Sequence, residues 1–460
     1  MLIALLLAMT LDDVAVTKPA APDPAAAAPS SGAAASAQVG SPPSQGLLRL
    51  PKPKTEPAPA LRFVWRDHPS LRAGRNFRVD FAAKLQQDAR DPGDEPTDFP
   101  TWELHRLRIG VEGELFRRIQ FSIERELSEN ETNDPLKKAT KSQWKDVFVE
   151  ANISNAFQVR VGKFKVPYGL DQTSGESNLD FVYRSLGGSN LSPGRDIGVM
   201  VHGRFFQRAL NYSIGGFQQD GDNSRSGKIA GADTTIAARV TVAPFRKIKA
   251  AGLGDAEIGV SFATSQLSDE PFLPNGLRAR TVMSQYTFFE PVFVKGTRRR
   301  YGVDADWSAG PIGARSEYIF VSDTRQDQGL GDQDLSNVRG RAWYALATWV
   351  VTGEKKVRPV EARKGGLGRG GMGAIELALR VDRLWFDSKK GLDTPFRNSR
   401  SETIFPNTDK VTTIGLNWYL NRWAKLQVNA LHEQTTDVER SPTADGSAFW
   451  SKVFRLQLEL

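Results

Sequence analysis

The chain has 460 residues, of which 25% are charged and none is Cys, and its mean hydropathy is -0.40. No stretch reaches the ~20 apolar residues of a spanning helix, which excludes a helical membrane protein but not a barrel whose strands alternate lipid-facing and lumen-facing residues. The absence of Cys excludes a disulfide scaffold, and the formal charge of +8 attracts nucleic acid, lipopolysaccharide or small oxyanions without choosing among them.

The opening "MLIALLLAM" has the length of a secretion-signal hydrophobic region without its basic start, so residues 1–11 read as a truncated signal peptide. Residues 12–60 are dominated by Pro, Ala, Ser and Gly and read as a disordered periplasmic linker that cannot bury a core. Residues 61–460 form the remaining unit. From Leu47 onward the chain holds 60 basic and 50 acidic residues, a net +10.

From about residue 61 the hydrophobic period becomes two. "RNFRVDFAAKL" puts Phe77, Val79, Phe81 and Leu85 opposite Arg78, Asp80 and Lys84. "HRLRIGVEGEL" and "IQFSIERE" repeat the pattern, as do "FQVRVG", "DIGVMVHGRF", "TIAARVTV", "AEIGVSF" and later runs down to "VFRLQLEL". About sixteen or seventeen such runs are separated by turn signals, and few segments show a period of 3.6. The chain is all-β.

Runs of nine to twelve residues match the ~9–11 tilted residues of a transmembrane strand better than the ~5–6 of a sandwich strand. "LFRRIQ" and "ISNAFQ" imply tight turns, whereas 164–195, 218–232 and 323–338 read as long polar loops. Short periplasmic turns with long outer loops are the bacterial barrel layout. The final run ends at Leu460, ready to pair with the first strand so that no edge faces lipid. Ten Trp near the ends of the runs suit interfacial girdles. The expectation is a transmembrane antiparallel β-barrel in the bacterial outer membrane, reached through the periplasm.

From residue 61 to the end the chain also resembles the phosphate-selective porin O/P family of outer-membrane proteins. The resemblance is carried by "VGKFKVPYGLDQTSGESNLDFVYRS", "LSPGRDIGVMVHG", "GPIGARSEYIF", "WYALATWVVTGE", "GGMGAIELALRVDRL" and "GLNWYLNRWAKLQVN", in the family's order. Asp171 and Tyr183 stand where relatives often carry Glu. The resemblance implies sixteen strands, a homotrimer, inward-folding loops, and Arg and Lys on the inner wall and constriction loop that guide phosphate-like anions.

A barrel of that size leaves a water-filled lumen. Its polar face includes Arg106, Arg108, Arg160, Arg204 and Arg239, and the planar guanidinium donates two parallel hydrogen bonds to an oxyanion. The same face carries at least as many acids, so each of these Arg residues also reads as a wall-stiffening ion-pair partner. The 164–195 loop and its flanks gather Lys163, Lys165, Arg184 and Arg195 among few acids. Folded inward, those cations meet solutes at the constriction; folded outward, they meet lipopolysaccharide phosphates. Pro167 and Pro193 stiffen its ends, and Gly169, Gly187, Gly188 and Gly194 permit tight bends.

Other signals carry less. "GLGRGG" at 366–371 fits G-x-G-x-x-G but lacks the strand-before, helix-after context of a dinucleotide site, and Lys364 and Arg369 mark only a basic loop. His68, His105, His202 and His432 have no metal spacing. No G-x-S-x-G elbow occurs. The sequence therefore implies a passive anion channel rather than an enzyme, with no cofactor and no nucleic-acid partner. A weakly selective porin and a plugged structural or adhesive barrel are the alternatives.

Overall fold

In the computed structural model the described residues are 60–65, 68–94, 101–128, 143–221, 234–246, 252–267, 274–283, 286–362, 370–388, 399–404, 406–436 and 447–460. The readings of residues 1–59 as signal and linker, and of Lys364 and Arg369, lie outside them. A first hairpin pairs β1 (Arg62–Trp65) with β2 (Pro69–Ala73), and β2 pairs the start of β3 (Phe77–Asp91). The wall continues through β4 (Trp102–Leu115), β5 (Ile119–Glu126), β6 (Trp144–Ser154), β7 (Phe157–Lys165), β8 (Arg195–Phe205), β9 (Leu210–Phe217), β10 (Thr235–Val242) and β11 (Glu257–Leu267). After the short pair β12 (Ala279–Arg280) and β13 (Thr287–Phe289) come β14 (Gly296–Ala309), β15 (Ile312–Arg325) and β16 (Leu335–Val350). The last four are β17 (Ala374–Asp387), β18 (Asn407–Tyr419), β19 (Ala424–Thr436) and β20 (Ser447–Glu459).

Every wall pairing is antiparallel, and β20 closes on β3 from Lys452↔Asp91 to Glu459↔Lys84. Leu460 seals the seam, donating its N–H to Ala83 O at 2.9 Å. Leaving out the β1–β2 hairpin and the β12–β13 pair, the closed cylinder has sixteen strands. Closure leaves no unpaired ladder edge, the condition for a sheet in hydrocarbon.

Alternation holds along the wall. Ile109, Val161, Val199, Val260, Val303, Leu379, Ile414 and Val428 point outward and are exposed, while Asp88, Arg106, Glu150, Asp304, Arg380, Asn417 and Arg455 point inward and are buried. Connections at one end are short, as at 116–118, 155–156, 310–311 and 420–423, and this end corresponds to the periplasmic side of such barrels. The expected loop at 323–338 is shorter than its polarity suggests. β15 runs to Arg325 and β16 starts at Leu335, because strands that rise past the membrane no longer need an apolar outward row.

The wall generates a depth-dependent expectation. Leu379 is exposed in the middle of an outward row, so Leu379→Arg should lower barrel stability by about 2–4 kcal/mol. Ala314→Arg, outward near the short-turn rim, should cost about 1 kcal/mol or less. Urea titration of folding into lipid vesicles measures both, and equal costs would contradict the membrane placement.

Candidate functional site

From the end of β7 the segment 166–194 turns into the lumen, carrying α1 (Leu170–Thr173) and α2 (Leu186–Asn190). A buried loop must find partners for its backbone polar groups, and here the wall supplies them. Glu317 on β15 accepts from Leu170 N at 2.9 Å and Asp171 N at 3.1 Å. Asn429 on β19 accepts from Val182 N at 2.8 Å. Arg455 donates to Val182 O at 2.8 Å, Arg380 to Tyr183 O at 2.9 Å, and Arg300 to Leu191 O at 2.8 Å. Lys425 donates to Ser177 O and Leu179 O, both at 3.1 Å. Wall cations on four strands thus hold loop carbonyls.

Two glycines make the approach possible. Gly169 has φ +74°, and a Cβ there would lie 2.6 Å from a Glu317 carboxylate oxygen. A Cβ at Gly187 would lie 2.9 Å from that of Ala342, so α2 lies against β16 only without one. Val166, Leu186 and Leu191 join Ile319, Ala342 and Val411 in one buried apolar cluster. The segment 274–294 enters as well. Phe289 stacks on Phe386 at 4.1 Å between ring centroids, and Asn190 exchanges bonds with the Arg280 backbone at 3.1 and 3.2 Å.

A third segment enters from the short-turn end. Lys356, fully buried, pairs with Asp180 of the first loop at 2.5 Å and with Glu376 of β17. Arg358 reaches Asp306 at 3.1 Å. Burial raises the Asp180 carboxyl, but Lys356, Arg358 and Arg315 outweigh it and hold the group well below the carboxylate range.

Between the first loop and the β3–β10 wall lies a cavity of about 550 Å³ lined by Lys84, Glu112, Glu124, Asp146, Arg160, Lys165 and Arg239, among others. Of the nine sequence-expected cations, three border it. Lys165 donates to the carbonyls of Ser174 at 2.7 Å and Thr173 at 3.5 Å and, among the described residues, has no carboxylate within ion-pair distance. Arg160 lies 2.6 Å from Glu150, which also meets His202 at 2.9 Å, with its guanidinium over Phe148 at 4.1 Å. Arg239 is doubly bonded to Asp304 at 2.5 and 2.9 Å.

The other six are placed differently. Arg106 and Arg108 share Glu126 and meet loop residue Glu176 at 2.8 and 3.1 Å. Arg184 donates to Asp171 O and Ser174 O within the loop, and Arg195 pairs with Asp146 at 2.8 Å. Arg204 lies on the inward row opposite Asn211, with no acidic partner among the described residues. Lys163 is a correction. It sits opposite Val147 and Ile197, in phase with outward-facing Val161 and Val199, so its place is the outer surface and not the constriction.

Glu176 is the anchor that charge counting missed. Burial raises its carboxyl, but Arg106, Arg108, Arg184 and Arg195 together hold it well below the usual range. Asp88, Glu103 and His105 are close enough to suggest a metal centre. However, Arg455 binds Asp88 through two bonds of 2.6 Å and Arg90 meets Glu103 at 2.9 Å, so guanidinium groups already satisfy both carboxylates.

Residues 72–460 match the family described as phosphate-selective porin O and P. No curated protein sequence matches the chain. Among solved structures, the trimer form of OmpT from Vibrio cholerae aligns with a TM-score of 0.51 at 12% identity, covering 84% of this chain and 100% of its own. The outer-membrane channel DcaP of Acinetobacter baumannii gives a TM-score of 0.51 at 9% identity, covering 85% and 99%. OmpF of Salmonella typhi, complexed with daunomycin, gives 0.50 at 10%, covering 87% and 100%. At these identities the likeness establishes the fold.

The Glu176 anchor has a pH signature. Because its folded pKa is depressed, its stabilisation is present above the unfolded value of about 4.3 and is lost as pH falls through the lower folded value. Single-channel current should become noisy in acid, as pH falls below about 4 and the Glu176 carboxylate takes up a proton. Glu176→Gln strips Arg106 and Arg108 of a shared carboxylate and should bring that noise to neutral pH. A quiet Gln variant would remove the anchoring role.

Proposed function

Because the chain belongs to the phosphate-selective porin O and P family, and is thus an outer-membrane channel, we propose that it passes small oxyanions of the phosphate class by diffusion through the cavity beside the 166–194 loop. The observation that carries the reading is Lys165. Its amino group borders the cavity and donates only to carbonyls, while Glu176 and Asp146, as well as Arg184 and Arg195, lie near enough to act on its charge. Arg160 and Arg239 border the same space, and a planar guanidinium matches an oxyanion's two oxygens even when one side of its fork is engaged. Several weak cationic positions suit conduction better than one tight site, because the ion must leave as readily as it enters. Assembly as a homotrimer, as in the trimer form of OmpT, belongs to the same proposal.

A weakly selective pore is the second reading, favoured by the acids beside these cations. Arg239 is paired with Asp304 and Arg160 with Glu150, while Glu112, Glu124 and Asp146 line the same cavity. Reversal potentials across a KCl gradient separate the two. Lys165→Glu replaces a basic group with an acidic one, and at about 7 Å in a water-like dielectric, screened by salt, this should lower the anion-to-cation permeability ratio roughly 5–10-fold. Lys163→Glu, on the outer surface, should leave the ratio within about twofold. Phosphate should also block chloride current in a saturable way. Equal effects of the two substitutions, or a ratio near one with no phosphate block, would establish the weakly selective pore; no conductance at all would overturn both.

A further inference from the structure

On the lipid side of the wall, five cations gather on adjacent strands. The outward rows of β14 to β18 carry Arg299, Arg339, Arg341, Arg383 and Lys410 and, among the described residues, no other Lys or Arg. All five lie near the long-loop ends of their strands. The ladder fixes them in neighbouring rows: Arg299 opposite Ser322, then Arg339 and Asp387; Phe320 opposite Arg341, then Trp385; Trp343 opposite Arg383, then Lys410.

Asp387 is the one acid on these outward rows among the described residues, and it meets Arg339 at 2.8 Å and Arg341 at 2.7 Å. Arg299, Arg383 and Lys410 have no acidic partner there. The guanidinium of Arg383 lies 4.9 Å from the Trp385 ring centre, and that of Arg341 5.6 Å from Phe320 and 5.9 Å from Trp385. Cations seated on an aromatic belt, with apolar residues below them, are at headgroup depth, where a charge costs little and can meet the phosphates of an anionic lipid.

We infer that this patch is a binding site for the phosphates of an outer-leaflet phosphorylated glycolipid, the lipid A portion of lipopolysaccharide. Adjacent strands are about 4.8 Å apart, so the five cations span roughly 20 Å, room for a disaccharide carrying a phosphate at each end. Arg299 and Arg383 offer guanidinium forks, Lys410 is exposed at the rim, and the apolar rows below receive acyl chains.

The test uses the full-length protein in detergent micelles, with diphosphoryl lipid A and its dephosphorylated counterpart as probes in native mass spectrometry. Wild type should hold the diphosphoryl form at least about tenfold more tightly, and R299Q/R383Q/K410Q should abolish that preference. Lys452→Gln, an outward cation on β20 paired with Asp91, should retain it. If the triple variant fails to fold, Lys410→Gln alone at the rim should weaken the preference. A preference that survives these changes, none in the wild type, or a change of oligomeric state in the variant would overturn the site; the last would make the patch a contact between copies. Channel conductance is independent of the outcome.

Discussion

A strand exposed to hydrocarbon has no water to hydrogen-bond its backbone, so every ladder group must find a partner within the sheet. That constraint makes the seam between β20 and β3 the contact on which the remainder depends. Once the sheet is closed, each wall position has only two environments. Outward side chains such as Val303 and Leu379 meet acyl tails, and inward ones such as Asp88 and Arg455 meet water or the loops. Charge on the inner row is therefore permitted by geometry alone, and its presence does not by itself identify a permeation path.

Much of the inner charge serves the loop. Arg380, Lys425 and Arg455 donate to carbonyls of 166–194, and Glu317 and Asn429 accept from its amides. A loop held inside a barrel exchanges bonds with water for bonds with the wall, and an unmade bond there costs more than a made one gains. The wall opposite carries fewer such commitments, and the cavity lies on that side. The division of the lumen into a packed half and an open half follows from which strands bear side chains aimed at loop backbone.

Period-two alternation made the fold legible, because the lipid boundary imposes it strand after strand. It also held the answer at Lys163. "FQVRVGKFK" keeps Val159, Val161 and Lys163 in one phase, so the lysine was outward on the pattern itself, and only the richness of basic residues nearby suggested otherwise. Lys165 shares that phase, yet the strand ends there and its ammonium reaches inward to the loop. Other features left no periodic trace. The extra residue at His105 shifts the β3–β4 register, which brings Glu103 and Arg106 to the same side. The loop partners of Asn417 and Asn429 lie more than 200 residues away in sequence, and Glu176 looked like any loop acid until three elements brought arginines around it.

The ammonium of Lys356 gives the two mouths of the barrel a shared fastening. The segment that carries it enters from the short-turn end, yet it grips Asp180 on a loop that descends from the opposite end, and Glu376 on the wall. The plug-like half of the interior is thereby laced from top to bottom as one mechanical body. Residues 351–362 and the inward loop are joined directly, through Asp180, as well as through the cylinder.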